Sequence, residues 1–209
     1  MRLAHPNPDQ LREEQLQTTH DYLTEQRILV LAAEITPTTL APTQLGQMRL
    51  DRFGPLEICD TLIALDKLEP GKPIKLIIDS GGGSCDEGLS IVDAMESLKS
   101  PVYTYCRKAY SMAAIVLACG AKGHRYTYPH ANSLIHLPSM RGGGNSKEFK
   151  EQSRELDRVR DMLAELLIAH GVDKTKQQIL KHMEKNAIMS AAETVEYGLA
   201  DKIMKKGDL

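Results

Sequence analysis

The sequence predicts an α/β fold on two observations. Short β-type apolar runs alternate with segments of helical period four or more times along the chain, and a glycine turn, "SGGGS" at 80–84, joins one such run to the helix after it. Alternation of this kind implies helices layered on a sheet through right-handed crossovers. At 209 residues the chain is long enough for one domain with a real core and short for two. No internal repeat, low-complexity tract or linker interrupts it.

Residues 1–17 are polar and carry proline, so a mobile arm over 1–20 is expected before a single domain at 21–209. "RILVLAAEI" (27–35) is a β-type run. Residues 36–55 hold three Pro, two Gly and no period, and are expected to form a loop insertion. From Leu56 to Leu68 apolar residues recur at 56, 59, 63 and at 58, 62, 65, which is helical spacing. "PGKP" (70–73) is a turn and "IKLIID" (74–79) a buried strand. A helix opening near Asp86 carries Leu89, Val92, Met95 and Leu98 on its inner side. "VYTYC" (102–106) reads as a strand, and Ser111–Cys119 as a buried helix closed by Gly120. "HRYTY" (124–128) and "SLIH" (133–136) read as two further strands. Residues 147–170 form one long helix with Phe149, Leu156, Val159, Leu163, Leu166 and Leu167 in a stripe. A short helix follows at about 174–185. "SAAE" (190–193) is a capping box for another that stops at Gly198, and "DKIM" (201–204) is a last strand.

Composition excludes several classes of function. The net charge of −2 argues for neither a nucleic-acid partner nor an anionic membrane surface. The N-terminus has no apolar core of a secretory signal, and the longest apolar run is too short to span a bilayer. Cys59, Cys85, Cys106 and Cys119 form no CxxC pair, so four reduced, mostly buried thiols in a cytoplasmic protein are expected.

Three features carry chemistry. Ser111 sits at the mouth of the helix in "KAYSMAAIVLACG" (108–120). As a favoured N-cap residue it needs no further role. As a nucleophile it would sit beside the free N–H groups of a helix start, with the Met112 N–H just beyond it. The strict G-x-S-x-G elbow is absent; the flanks are Ala109 and Ala113, which are also small. "DSGGGS" (79–84) is a tight turn, or else a second oxyanion donor, since glycine lets a backbone N–H approach a carbonyl closely. Losing such a donor costs roughly 2.7–4 kcal/mol in the transition state. Among seven histidines, His136 ends an apolar strand, where sites gather in α/β folds. His124 and His130 are rival bases.

These residues together resemble the proteolytic subunit of the Clp protease, the ClpP family of serine peptidases. "IIDSGGG" is similar to that family's oxyanion segment "INSPGG", and "YSMAA" to its nucleophile segment. "ACGAKGHRYTYPHANSLIHLP" is similar to "AAGAKGKR…P…MIHQP", and "SAAETVEYGLAD" to "SAxEAxEYGLxD". The likeness runs from about residue 20 to 204, and the 25-residue spacing from Ser111 to His136 fits it. The resemblance implies Ser111 as nucleophile, His136 as general base, and the N–H groups of Gly83 and Met112 as the oxyanion hole. It implies a ClpP/crotonase-type spiral of β-β-α units, with residues 139–170 as a protruding handle. It further implies stacked seven-membered rings, homomeric or mixed, enclosing a chamber. An AAA+ unfoldase of ClpX, ClpA or ClpC type would feed unfolded polypeptides into it, and the subunit itself would bind neither ATP nor metal.

The chain departs from the family's pattern in places. The third triad residue, an Asp in the family, falls on Asn186 in "HMEKNAIMSAAE". An Asp→Asn change of this kind in a serine-protease triad costs roughly 10⁴ in rate, about 5.5 kcal/mol, yet Cys–His–Asn sites work. Glu184 and Asp201 are possible substitutes. Gly81 replaces the family's Pro, "CRKAYS" is one residue short, and residues 36–55 carry roughly a dozen extra positions. The three glycines of "LPSMRGGGNSKEF" weaken the strand expected in the handle. The expected function is therefore a serine endopeptidase subunit of an ATP-dependent protease. The alternative is a weakly active or non-catalytic ClpR-like paralogue in a mixed ring. A crotonase-type acyl-CoA enzyme would have no use for a Ser/His pair at this spacing.

Overall fold

A computed structural model of the chain describes residues 19, 21–32, 34–36, 54–140 and 142–209. Nearly all of the arm expected at 1–20, and most of the insertion expected at 36–55, lie outside the described residues.

A short helix α1 (residues 21–25) leads into β1 (Ile28–Leu31), and α2 (Pro55–Leu68) leads into β2 (Ile74–Ser80). Next come α3 (Cys85–Ser97), β3 (Val102–Tyr110), α4 (Met112–Ala118) and β4 (Arg125–Leu134). The long α5 (Ser146–Ala169) is followed by α6 (Lys176–Met183), β5 (Met189–Ser190), α7 (Ala191–Tyr197) and β6 (Lys202–Ile203). Strands β1 to β4 are parallel and lie in chain order. Parallel neighbours need crossover connections, which α2, α3 and α4 supply. On the far edge of β4, β6 pairs parallel near its start and β5 antiparallel near its end.

Burial explains why these runs are strands. In β2, Ile74, Leu76, Ile77 and Ile78 are each at most 3% exposed, so both sheet faces are covered there. Leu76 and Ile78 point into the main core beneath the helices, and Ile77 packs with Tyr105 and Tyr126 on the opposite face. Arg27, buried just before β1, donates to the carbonyls of Leu65, Lys72 and Pro73, tying off the end of α2.

The structure corrects several boundaries. β3 runs on to Tyr110, four residues past the expected end. The two strands expected at 124–128 and 133–136 are one, with Pro129 inside it. Its pairing with β3 jumps from Cys106↔Thr127 to Lys108↔Asn132, so the proline falls in an irregular stretch where no ladder hydrogen bond is needed. In α2 the row 58, 62, 65 is buried, but Leu56 and Ile63 of the other row are exposed. Gly120 keeps a negative φ. It is glycine because a Cβ there would strike Thr104 on β3. In α5, Val159, Leu163, Ala164 and Leu167 are buried, while Phe149 near its start is exposed. The helix begins in a capping box made by Asn145 and Glu148 and projects its first half beyond the core. Residues 142–145, ahead of it, form no strand.

Candidate active site

Ser111 is the single residue between β3 and α4, and it turns the chain through φ 56°, ψ −127°. A non-glycine residue at positive φ is strained by about 1–3 kcal/mol and persists only where its surroundings enforce it. Here they do. The Ser111 N–H donates to the Leu134 carbonyl at 2.8 Å, and every residue of α4 is at most 2% exposed, so the helix cannot shift. The strained turn aims the hydroxyl out of the strand-helix junction.

That hydroxyl makes no capping hydrogen bond to its own helix. Instead Ser111 Oγ lies 2.8 Å from His136 Nε2. The same Leu134 carbonyl that holds the Ser111 backbone stands two residues before His136, so one contact fixes both partners. His136 follows buried Ile135 just past the end of β4 and is half-buried.

The glycine segment packs directly against this turn. A Cβ on Gly82 would lie 2.5 Å from the Tyr110 carbonyl and 2.6 Å from Ser111 Cβ. A Cβ on Gly83 would collide with the Ile35 carbonyl. Both adopt positive φ, 89° and 144°. Ile35 clamps the segment from its other side: its N–H donates to the Gly82 carbonyl at 2.8 Å, and it accepts from the Ser84 N–H at 2.6 Å. Gly83 thus sits in a short parallel bridge to Ile35. Met112 is the first residue of α4, so its N–H has no acceptor within the helix. Sequence reasoning missed Gly82, Ile35 and the Leu134 carbonyl as site-building elements. The glycine triplet was a signal for the first; the other two act through backbone atoms, which no residue type announces.

The rival bases stand elsewhere. His124 stacks on Tyr103 at 4.0 Å between ring centres, ahead of β4, and His130 is exposed in the irregular stretch of β4. Asp201 is committed to Arg125. Its Oδ1 accepts from Nη2 at 2.6 Å, and its Oδ2 accepts from Nε and from the Gly123 and Arg125 N–H groups. Burial raises this carboxyl, but the hydrogen bonds and charge of Arg125 outweigh it and hold the pKa below its ordinary value. Glu184 is exposed at the end of α6.

Asn186 is exposed and adopts φ 49°, a left-handed turn conformation that asparagine tolerates. Among the described residues, nothing hydrogen-bonds His136 Nδ1. β5 pairs antiparallel with β4 through Asn132↔Ser190 and Ser133↔Met189 only, so the segment that carries Asn186 runs up to the edge of β4 near its C-terminal end, with Asn186 itself in the turn before β5.

The four thiols are free. Cys59, Cys106 and Cys119 are buried and Cys85 half-buried. Burial pushes Cys59 up to about 11 and Cys106 up to about 12. Among the described residues, no group of three His, Cys, Asp or Glu is placed to hold a metal, and no helix is long and apolar enough to cross a membrane.

A serine on a strained strand-to-helix turn, hydrogen-bonded to a histidine at the end of the next parallel strand, resembles the arrangement of α/β serine hydrolases. The family model for Clp protease matches residues 11–207, and the chain belongs to that family. Membership accounts for the sheet with its layered helices and projecting α5. It also implies, in general, ring assembly alongside Clp ATPases.

Proposed function

We propose that this chain is a serine endopeptidase subunit of an ATP-dependent Clp-type protease, cleaving unfolded polypeptides within a chamber of stacked heptameric rings in the cytoplasm. The observation that carries the reading is the 2.8 Å contact of Ser111 Oγ with His136 Nε2, made in place of a helix cap. In the reacting tautomer Nδ1 bears the proton and Nε2 accepts from Ser111 Oγ–H. The oxygen attacks the scissile carbonyl, Nε2 takes the proton, and the carbonyl oxygen becomes an oxyanion facing the Gly83 and Met112 N–H groups. His136 then protonates the departing amine as the C–N bond breaks, leaving an acyl group on Ser111. Water repeats the sequence and frees the acid. Asn186 takes the third place in the proposed triad, and its side-chain carbonyl would have to turn to Nδ1–H, since among the described residues it makes no such contact.

A fluorophosphonate probe tests this. Labelling of the assembled protein that disappears in Ser111→Ala supports the reading, and absence of labelling, alone or with partner subunits, overturns it. A second reading is favoured by position 186, where an uncharged and exposed Asn replaces the carboxylate. On that reading the chain is a weakly active or non-catalytic ClpR-like subunit of a mixed ring.

A further inference from the structure

Away from Ser111, an open hollow of about 310 Å³ lies beside α6 and α7, lined by Lys174, Gln178, Lys181, His182, Lys185 and Tyr197. No carboxylate is among these six. Among the described residues none of the three lysines has an ion-pair partner, whereas Lys176 nearby binds both Asp161 and Glu165. The Lys174 ammonium lies 4.9 Å over the Tyr197 ring instead. Three uncompensated ammonium groups around one hollow repel each other, in a chain whose net charge is −2.

The floor of the hollow is also incomplete. Tyr197 is 7% exposed, and its hydroxyl is buried without a hydrogen-bond partner. The His182 ring, 4.5 Å away, has a buried Nε2 in the same condition. Native interiors rarely leave such groups unpaired. Burial, and then the charges of Lys185 and Lys174, hold the imidazole below its ordinary pKa. Every feature of the hollow asks for the same complement: negative charge with several acceptor oxygens.

We infer that this pocket binds a phosphate-type oxyanion, held by Lys174, Lys181 and Lys185, with the Tyr197 hydroxyl as a further donor. A single carboxylate would neutralise only one of the three charges. Lysine serves phosphate well as a point charge. A smaller hollow of about 220 Å³ shares the Lys174, His182 and Tyr197 walls and is closed by Ala187, Ile188 and Met189. Two carboxylates stand on that side. Glu193 is taken up by the N–H and hydroxyl of Ser190, and Glu196 lines this smaller hollow beside Lys174 but is not among the walls of the larger one. The two hollows share Lys174, His182 and Tyr197, so filling the larger one bears on the segment 187–189 through these common walls.

The test reads binding by the full-length assembled protein, and so stands whether or not the chain is a peptidase. Inorganic phosphate is titrated by calorimetry against sodium chloride of matched ionic strength. Saturable binding of one phosphate per subunit is expected, with amide exchange slowed across residues 184–190. The double variant Lys181→Gln/Lys185→Gln should weaken binding at least tenfold, and Tyr197→Phe, which keeps the ring, several-fold. Unchanged melting curves establish that each variant is folded. Should the double variant not fold, Lys174→Gln takes its place with the same expectation. No saturable binding, an equal response to chloride, or unchanged affinity in the variants would overturn the inference.

Discussion

Replacing Asn186 with Asp is the sharpest perturbation of the candidate site. On the proposed function position 186 is the third member of the triad, so a carboxylate placed there would face the imidazolium that forms when Ser111 gives up its proton. At about 4 Å, two unit charges attract by about 4 kcal/mol at an effective dielectric of 20, and by about 1 kcal/mol in water. Because residue 186 is exposed, the gain lies between these limits. That corresponds to a rate increase of roughly fivefold to a thousandfold. The backbone does not confuse the result, since Asp tolerates the left-handed conformation that Asn186 adopts at φ 49°. The assay is kcat/KM for a fluorogenic peptide, with assembly checked by size. Asn186→Gly, which suits the same turn and removes the carbonyl, should lower the rate. A properly assembled Asn186→Asp variant with an unchanged or lower rate would refute the assignment of position 186 as the third member.

Ser111→Ala should abolish labelling yet shift stability by less than about 0.5 kcal/mol, because the hydroxyl caps nothing. A loss near the ~1 kcal/mol of a true cap, read from urea midpoints, would return Ser111 to a capping role. Gly82→Ala forces a Cβ onto Ser111 Cβ and should cost more than 1 kcal/mol and cut the labelling rate at least tenfold. Asp201→Asn leaves the buried Arg125 unpaired and should cost roughly 3 kcal/mol. Because the folded carboxyl has a depressed pKa, its contribution is present in full above the unfolded value near ~3.9 and fades as pH falls through the lower folded value. The variant should therefore show a flatter loss of stability below about pH 4. Cys59 and Cys106, with thiols raised to about 11 and about 12, should react at pH 8 far more slowly than a free thiol; rapid modification of the native protein would contradict their burial.

How much of this could be read before the structure depends on the kind of residue involved. The caps were legible because they use a fixed spacing: Ser190 and Glu193 close the box that starts α7, and Gly198 ends that helix at φ 95°. The sheet was legible wherever both faces are buried, as in "IKLIID". It was misread at "HRYTYPHANSLIH", because Pro129 signals a break to any local reading. The neighbouring strand tolerates it by shifting register. The exposed row Leu56 and Ile63 was invisible for a different reason. Apolar spacing marks a face that is covered, without saying whether the cover comes from this chain or from another.

The candidate site was legible only in part, and the reason is its dependence on backbone. Among seven histidines only the place of His136 at the end of an apolar strand favoured it over His124 and His130, and the family resemblance agreed. Side-chain identity left Ser111 equally fit to be a cap or a partner for His136. What decides between these is the torsion at Ser111, and three contacts impose it: the Leu134 carbonyl on its N–H, Gly82 against its Cβ, and the buried run of α4 beyond. In an unconstrained N-cap the residue is extended and its hydroxyl folds back on the helix. Strain of about 1–3 kcal/mol is maintained here with no capping bond in return. A fold under selection only for stability would recover that energy by relaxing the turn. On the proposed function that strain is what presents the hydroxyl to the imidazole, a geometry that a cap does not need.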